Sequence, residues 1–101
     1  MIIYNVTTHV DHSIHKAWLI WMKEIHIPEV MQTKCFTKFQ MIRMLEVDET
    51  EGPTYAIQYY AENKADYSRY MELYAPAFRK SIIEIWDDKI IAFRSLMQVV
   101  H

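Results

Sequence analysis

The sequence is poor in the residues that build flexible loops, disulfide bonds and phosphate-binding turns. Its 101 residues include one glycine, one cysteine and three prolines. A single glycine excludes a glycine-rich phosphate loop, and a single cysteine, Cys35, excludes an internal disulfide bond. Few residues are available for long linkers, so we expect one domain over residues 1–101.

Long apolar runs and a strong charge of either sign are missing as well. No stretch approaches the ~20 apolar residues that a membrane-spanning helix needs. The formal net charge is −2, which argues against a nucleic-acid partner held by a basic surface. Residues 1–5 have no basic lead-in and are typical of a strand, not of a signal peptide. Together with the lone cysteine, these features predict a cytoplasmic protein without a membrane or nucleic-acid partner.

The sequence is rich in patterned segments, in the order strand, helix, strand, strand, helix, strand. Hydrophobic residues make up 51% of the chain, and they recur at strand or helix spacing. The predicted strands cover residues 2–9, 35–47, 54–62 and 89–100. The first helix begins at Asp11 or Ser13 and runs to about His26, because Pro28 disfavours helical angles at the residue before it. Residues 29–32 are compatible with one further helical turn that has Pro28 at its first position.

The second predicted helix contains a proline. Asn63 followed by Asp66 is typical of a helix cap and first turn. Apolar and aromatic residues follow at helical spacing, namely Tyr67, Tyr70, Met71, Tyr74, Phe78, Ile82 and Ile85. Pro76 lies inside this stripe, so we expect a kink or a break into two helices.

This order of segments predicts a ferredoxin-like βαββαβ fold, an α+β sandwich. A four-stranded antiparallel sheet would carry two helices on one face, with the first and third strands in the centre. The last strand is apolar on both faces, so the sheet face without helices needs a cover. In so short a chain the expected cover is a second copy, which would make a homodimer of the dimeric α+β barrel type.

The end of the first helix resembles a motif of EthD-type dimeric α+β barrel proteins. Trp21 stands five residues before His26, and Ile27 and Pro28 follow. The resemblance implies a pocket between helices and sheet. It also implies membership of a superfamily that includes cofactor-independent monooxygenases and isomerases.

Over its whole length the chain is similar to an uncharacterised family of chains of about this size. The segments that carry this resemblance are residues 18–22 (Trp-Leu-Ile-Trp-Met), 54–59 (Thr-Tyr-Ala-Ile-Gln-Tyr), 75–79 (Ala-Pro-Ala-Phe-Arg) and 92–94 (Ala-Phe-Arg). This second resemblance implies a fold and no activity.

His26 is the candidate catalytic residue. At a helix C-terminus the helix dipole would stabilise its cation, and it would act as an acid or base on a substrate near Trp21 and Tyr59. The alternative, a role that histidine often takes at this position, is to satisfy the free carbonyl groups of the helix end.

Arg43 and Arg94 lie inside predicted strands among apolar neighbours. A guanidinium group in that position needs a partner. The partner is either a substrate carboxylate or an acidic residue such as Glu46, Glu84 or one from a second copy, and structural pairs are the commoner arrangement. The pocket candidates are thus Trp21, His26, Arg43, Tyr59 and Arg94.

No motif predicts a metal or a cofactor. His9, His12 and His15 lie close together with Asp11, but the spacing is too loose for the convergent ligands of a zinc site. The leading interpretation is a small-molecule-binding or structural module. The rivals are a cofactor-independent monooxygenase or isomerase acting on a small aromatic substrate, and a ligand sensor that uses the same cavity without turnover.

Overall fold

The structure, a computed structural model, describes all residues from Met1 to His101 and confirms the predicted fold. One four-stranded antiparallel sheet has the order β2-β3-β1-β4. The strands are β1 (Ile2–Val10), β2 (Lys38–Arg43), β3 (Thr54–Ala61) and β4 (Ile90–Gln98). The first and third strands are central, as right-handed crossovers require, and the helices pack on one face.

The first helical run continues past the point where the sequence predicts its end. A 3-10 turn (His12–Ile14) leads into α1 (His15–Trp21), a π-helical turn (Met22–His26) and α2 (Ile27–Gln32). The further helical turn predicted over residues 29–32 is confirmed, whereas the expectation that the helix stops before Pro28 is wrong. Proline has no N–H and its ring crowds the preceding turn of an α-helix. In the wider π turn the Ile27 N–H donates to the Met22 carbonyl group, and this geometry accommodates Pro28.

The second helical run breaks where the sequence predicts. The two helices are α3 (Lys64–Leu73) and α4 (Ala75–Trp86), and Pro76 lies in the first turn of α4. Asn63 caps α3, because its side-chain oxygen accepts a hydrogen bond of 2.9 Å from the backbone N–H of Asp66. The predicted cap and the predicted break are both confirmed.

β2 is shorter than its alternating pattern indicates. Pairing with β3 extends only from Lys38 to Arg43, although residues 35–47 were expected to form the strand. Cys35 and Phe36 are instead buried in the core. At the other end, Glu46 adopts a positive φ of 57°, which turns the chain away from the sheet.

Gly52, the single glycine, lies where no other residue fits. Its φ is +153°, and a Cβ atom there would lie 1.7 Å from the carbonyl oxygen of Val10. The Val10 N–H donates to the carbonyl oxygen of Pro53 over 2.9 Å. The turn between β2 and β3 thus packs directly on the end of β1.

The two faces of the sheet differ sharply in composition. The helix-covered face carries the core, including Tyr4, Ile57 and Tyr59, and Trp18 of α1 is fully buried against it. The open face is apolar mainly along β4, where Phe93 is 67% exposed. Its centre is more polar than the apolar pattern of β4 indicates, since Asn5 and Thr7 of β1 and Gln58 of β3 lie on this face. None of the helices is long and apolar enough to cross a membrane.

Candidate functional site

A cavity lies between the helices and the covered face of the sheet. It encloses about 50 Å³. Its walls come from β1, β3, β4, α1, the π turn, α3 and α4, and 13 of the 17 lining residues are hydrophobic. The tyrosines Tyr4, Tyr59 and Tyr70 count among these 13 but also present hydroxyl groups, and the remaining four lining residues are Thr8, His26, Arg79 and Arg94.

His26 projects into this cavity from the π-helical turn. Its ring stacks on Trp21 with centroids 4.9 Å apart and meets Phe78 edge-on at 5.6 Å. Burial lowers the pKa of His26 to about 4, so the ring is neutral at pH 7. The position predicted for it, at a helix C-terminus with a stabilised cation, is wrong, because the helical run continues to Gln32.

Two tyrosines of the cavity, Tyr59 and Tyr70, are neutral phenols at pH 7. Burial raises the pKa of Tyr59 and of Tyr70 above the ordinary value for tyrosine. The Tyr59 hydroxyl is buried and has no hydrogen-bond partner in the protein. An unsatisfied hydroxyl of this kind is uncommon in a folded core and indicates a place where a ligand or water completes the hydrogen bonding.

Two arginines meet at the edge of the cavity on the hydroxyl group of Tyr4. Arg94 of β4 donates from Nε over 3.1 Å, and Arg79 of α4 donates from Nη2 over 3.4 Å. The Nε of Arg79 is buried and has no partner. Neither guanidinium group pairs with a carboxylate, since the ion pairs of the protein are Arg43–Glu49 and Arg69–Asp66.

The cavity opens between α4 and β4 into a wider groove of about 220 Å³. Arg79 and Arg94 belong to the walls of both spaces, together with Ile82, Ile90 and Ala92. The arginines therefore stand at the boundary between an apolar interior and a mouth that solvent reaches. Asp87 is the acidic residue of the groove and makes no ion pair with them.

Four of the five predicted pocket residues line this one cavity, namely Trp21, His26, Tyr59 and Arg94. The fifth, Arg43, lies elsewhere, exposed on β2. Its Nη2 contacts Glu49 at 2.9 Å and its guanidinium group lies over the Tyr55 ring. The expectation of a structural acid partner holds for Arg43, but the partner is Glu49 and not Glu46 or Glu84.

Arg79 and Tyr4 are cavity residues that the sequence interpretation missed. Arg79 follows Ala75 by four residues and precedes Ile82 by three, so it shares the inner face of α4 with them. That spacing was available from the sequence. Tyr4 belongs to the helix-covered face of β1, but which face is covered follows from packing and not from alternation alone.

The histidine cluster has structural partners. The Nε2 of His15 lies 2.7 Å from the Tyr55 hydroxyl, and the Nε2 of His12 lies 2.9 Å from the carbonyl oxygen of Glu49. Burial, followed by the charge of Arg43, lowers the pKa of His15. No group of three or more histidine, cysteine, aspartate or glutamate side chains is arranged to hold a metal ion.

The fold and the cavity define a class, an α+β ferredoxin-like domain with an aromatic space between its helices and its sheet. Within this class, the chain belongs to the family described as a domain of unknown function, DUF4286, whose model matches residues 1–100. Comparison with curated proteins gave no significant match.

Solved structures of low sequence identity share the fold. HapK from Hahella chejuensis has a TM-score of 0.71 and 11% identity, over 99% of this chain and 93% of its own. An ethyl tert-butyl ether D (EthD) family protein from Bacillus halodurans C-125 has a TM-score of 0.67 and 10% identity, over 99% and 100%. A dimeric ferredoxin-like protein from an uncultured marine organism has a TM-score of 0.60 and 14% identity, over 99% and 95%.

Proposed function

We propose that the chain is a homodimeric binding module that takes a small aromatic ligand into the cavity between helices and sheet. The observation that carries this proposal is an enclosed aromatic space with unsatisfied polar groups on its walls, the Tyr59 hydroxyl and the Arg79 Nε. Apolar pockets with a few convergent polar groups are typical of small-molecule sites.

The size of the space limits the ligand. The enclosed part, about 50 Å³, is far below the ~300 Å³ at which drug-sized pockets begin. A ligand would therefore place one part inside, against Trp21 and Phe78, and the rest in the groove between α4 and β4. Stacking on these rings favours a planar, apolar group.

A cavity-filling substitution tests this proposal. Ala92→Leu adds bulk to the wall of the cavity and groove, whereas Ala77→Leu makes the same change at an exposed position of α4. We expect thermal-shift and fluorescence titrations with small aromatic acids and their neutral amides to show binding to the wild type and to Ala77→Leu. Ala92→Leu should bind at least about tenfold more weakly. Equal binding by all three proteins contradicts the proposed site.

The homodimer is proposed through the open sheet face. Phe93 and Ile91 are exposed there by 67% and 55%, and the side-chain oxygen of Asn5 is buried without a partner. Exposed apolar area of this kind is typical of interfaces, and a solved structure of the same fold is described as dimeric. A second copy would cover the apolar edge and offer a donor to Asn5.

The oligomeric state tests the second part of the proposal. Phe93→Glu should turn a dimer into a monomer in sedimentation or light-scattering measurements, because it places a charge in the proposed interface. Leu73→Glu is the matched control, since Leu73 is exposed by 64% on the helix layer. A wild-type monomer at micromolar concentration contradicts the dimer.

An enzymatic role is the second candidate, and it is favoured by the state of the His26 ring in the cavity. The ring is neutral at pH 7 and makes no hydrogen bond to the protein, so its free nitrogen is available to accept a proton from a bound substrate. A cofactor-independent isomerase or monooxygenase acting on a small aromatic substrate would use it in this way. His26→Gln should then keep ligand affinity while product formation is lost, whereas unchanged turnover by this variant excludes His26 as the base.

We further propose that residues 1–101 act as one domain in the cytoplasm. The single sheet uses strands from both ends of the chain. Cys35 is a buried free thiol, which is consistent with a reducing compartment. Fractionation of cells that produce the tagged protein tests this placement, and recovery outside the cytoplasm contradicts it.

A further inference from the structure

We propose that the ligand carries an oxyanion, in the first instance a carboxylate, which Arg79 and Arg94 receive at the inner end of the groove beside the Tyr4 hydroxyl. This inference rests on the proposed ligand-binding function and names the chemical class of the ligand. The apolar part of the ligand would face the aromatic interior, and the anionic part would remain at the boundary with the groove.

The polar groups at this point are nearly all hydrogen-bond donors. The oxygen of Tyr4 accepts from Arg94 Nε at 3.1 Å and from Arg79 Nη2 at 3.4 Å. A phenol oxygen accepts two hydrogen bonds and donates one. Both acceptor positions are therefore occupied, the Tyr4 O–H has no protein acceptor, and the buried Nε of Arg79 also lacks one. The missing partner is an acceptor, and a carboxylate supplies two acceptor oxygens.

The charged residues around the cavity also favour an anionic ligand. The walls of the cavity include Arg79 and Arg94 but no aspartate or glutamate. The groove adds Asp87, which pairs with neither guanidinium group. His26 is neutral at pH 7 because burial lowers its pKa to about 4. The boundary between the cavity and the groove therefore carries two positive charges without an acidic partner, one on the half-buried Arg79 and one on the exposed Arg94. Both lie beside an apolar wall, where solvent screens their attraction to an anion less than it does in bulk water.

A purely structural role does not account for the arginine pair. Tyr4 needs no clamp, because its ring already packs against the rings of Phe36, Tyr59, Tyr67 and Tyr70, with centroids 5.6 to 6.2 Å apart. Arg43 shows how this protein pairs a structural arginine, since it contacts Glu49 at 2.9 Å. The planar guanidinium fork matches the geometry of a carboxylate, so two such groups on facing elements, α4 and β4, make a receptor for one.

The test compares acids with their isosteric amides. Benzoate with benzamide, and phenylacetate with phenylacetamide, are titrated into the wild-type protein and followed by tryptophan fluorescence and by thermal shift. We expect each acid to bind at least about tenfold more tightly than its amide. The preference should weaken as salt is added, because charges at the groove are partly screened.

Substitutions assign the preference to the two arginines. Arg79→Gln and Arg94→Gln should each remove most of the acid preference while leaving amide binding within about twofold. Arg43→Gln removes the same charge outside the cavity and should leave both affinities unchanged. Asp87→Asn removes the one negative charge of the groove and should leave acid binding unchanged or tighten it slightly. Circular dichroism of each variant shows that it is folded, and Arg94→Lys provides a second, milder variant that keeps the charge but loses the fork.

The outcomes separate this inference from the proposed function. Equal affinity for acid and amide, or an acid preference that survives in both Gln variants, overturns the anion site while the aromatic cavity still binds. Absence of saturable binding by acids and amides alike overturns both. If Arg43→Gln loses the acid preference while Arg79→Gln keeps it, the anion binds at Arg43 and not in the cavity. That result also overturns the inference.

Discussion

The two faces of the same sheet differ in which groups are left without contacts. On the covered face, Tyr4, Ile57 and Tyr59 pack under the helices, and the polar groups at the cavity lack partners inside the protein. On the open face, polar residues such as Gln58 occupy the central strands, whereas Phe93 and Ile91 leave apolar area along β4. The covered face thus has buried polar groups that lack hydrogen-bond acceptors, and the open face has apolar side chains that no other part of the chain covers. This difference separates the place for a ligand from the place for a partner chain.

The largest expected effect is a difference in the free energy of unfolding between substitutions on the covered face and on the open face. Trp18 is 1% exposed under the sheet, and Trp18→Ala should lower the free energy of unfolding by about 3–5 kcal/mol because it leaves a cavity. Phe93→Ala on the open face should lower it by less than about 1 kcal/mol in the monomer. Urea unfolding of both variants and the wild type is measured at protomer concentrations low enough to leave each protein monomeric, since dimerisation adds to apparent stability. Equal losses contradict the assignment of the core to the covered face.

Lowering the pH should decrease the free energy of unfolding, because His26 is buried in its neutral form. The unfolded chain takes up a proton near pH 6.5, but the folded protein resists it until about pH 4. Unfolding therefore binds a proton in this range, and the free energy of unfolding falls as the pH drops from 6.5 to 4, by about 3 kcal/mol in total. Above pH 6.5 the contribution of His26 does not change with pH.

Comparison of variants isolates the contribution of His26. His15 acts in the same direction, since burial lowers its pKa too, so the wild type alone does not separate them. In His26→Gln the fall between pH 6.5 and pH 4 should be smaller by the contribution of His26. A wild-type pH profile in His26→Gln contradicts the buried, neutral histidine.

A smaller effect is expected on removal of the Tyr59 hydroxyl, which tests whether this group lacks a hydrogen-bond partner. Because this group is buried without a partner, Tyr59→Phe should leave the free energy of unfolding unchanged or raise it by up to about 1 kcal/mol. A buried and satisfied hydroxyl would give the opposite sign. A clear loss of stability on urea unfolding would show that the hydroxyl already has a partner in the free protein.

The smallest expected effect concerns Arg43, the arginine outside the cavity. Its ion pair with Glu49 is partly exposed, and such pairs contribute about 0–1 kcal/mol. Arg43→Gln should therefore lower the free energy of unfolding by less than about 1 kcal/mol. Thermal unfolding in low and high salt measures this loss, which should shrink as the salt concentration rises. A larger and salt-independent loss would mean that Arg43 supports the core through Tyr55.

The sequence predicted the fold well because the fold depends on local patterns. Alternation gave the strands, the Asn63 cap gave the start of α3, and Pro76 gave the break before α4. Pro28 was misread, because its effect depends on whether the preceding turn widens into a π turn, and a local rule for proline does not contain that information.

The cavity was predicted in part. Trp21, His26, Tyr59 and Arg94 converge as expected, because their helix and strands are adjacent in the predicted topology. Arg43 was included because it lies among apolar neighbours inside a predicted strand, but β2 is an edge strand where a side chain reaches solvent. Arg79 was missed because a charged residue on a helix is usually solvent-exposed, and its burial emerges only when α4 packs on the sheet.

The most direct measurement of the central claim is an NMR titration that observes the arginine Nε–H signals as benzoate is added. The account predicts that the signals of Arg79 and Arg94 shift together and saturate with the same dissociation constant, while the Arg43 signal stays in place. Benzamide should shift the indole signal of Trp21 without moving the arginine signals. Benzoate that shifts Trp21 but leaves both Arg79 and Arg94 unchanged would contradict the anion site.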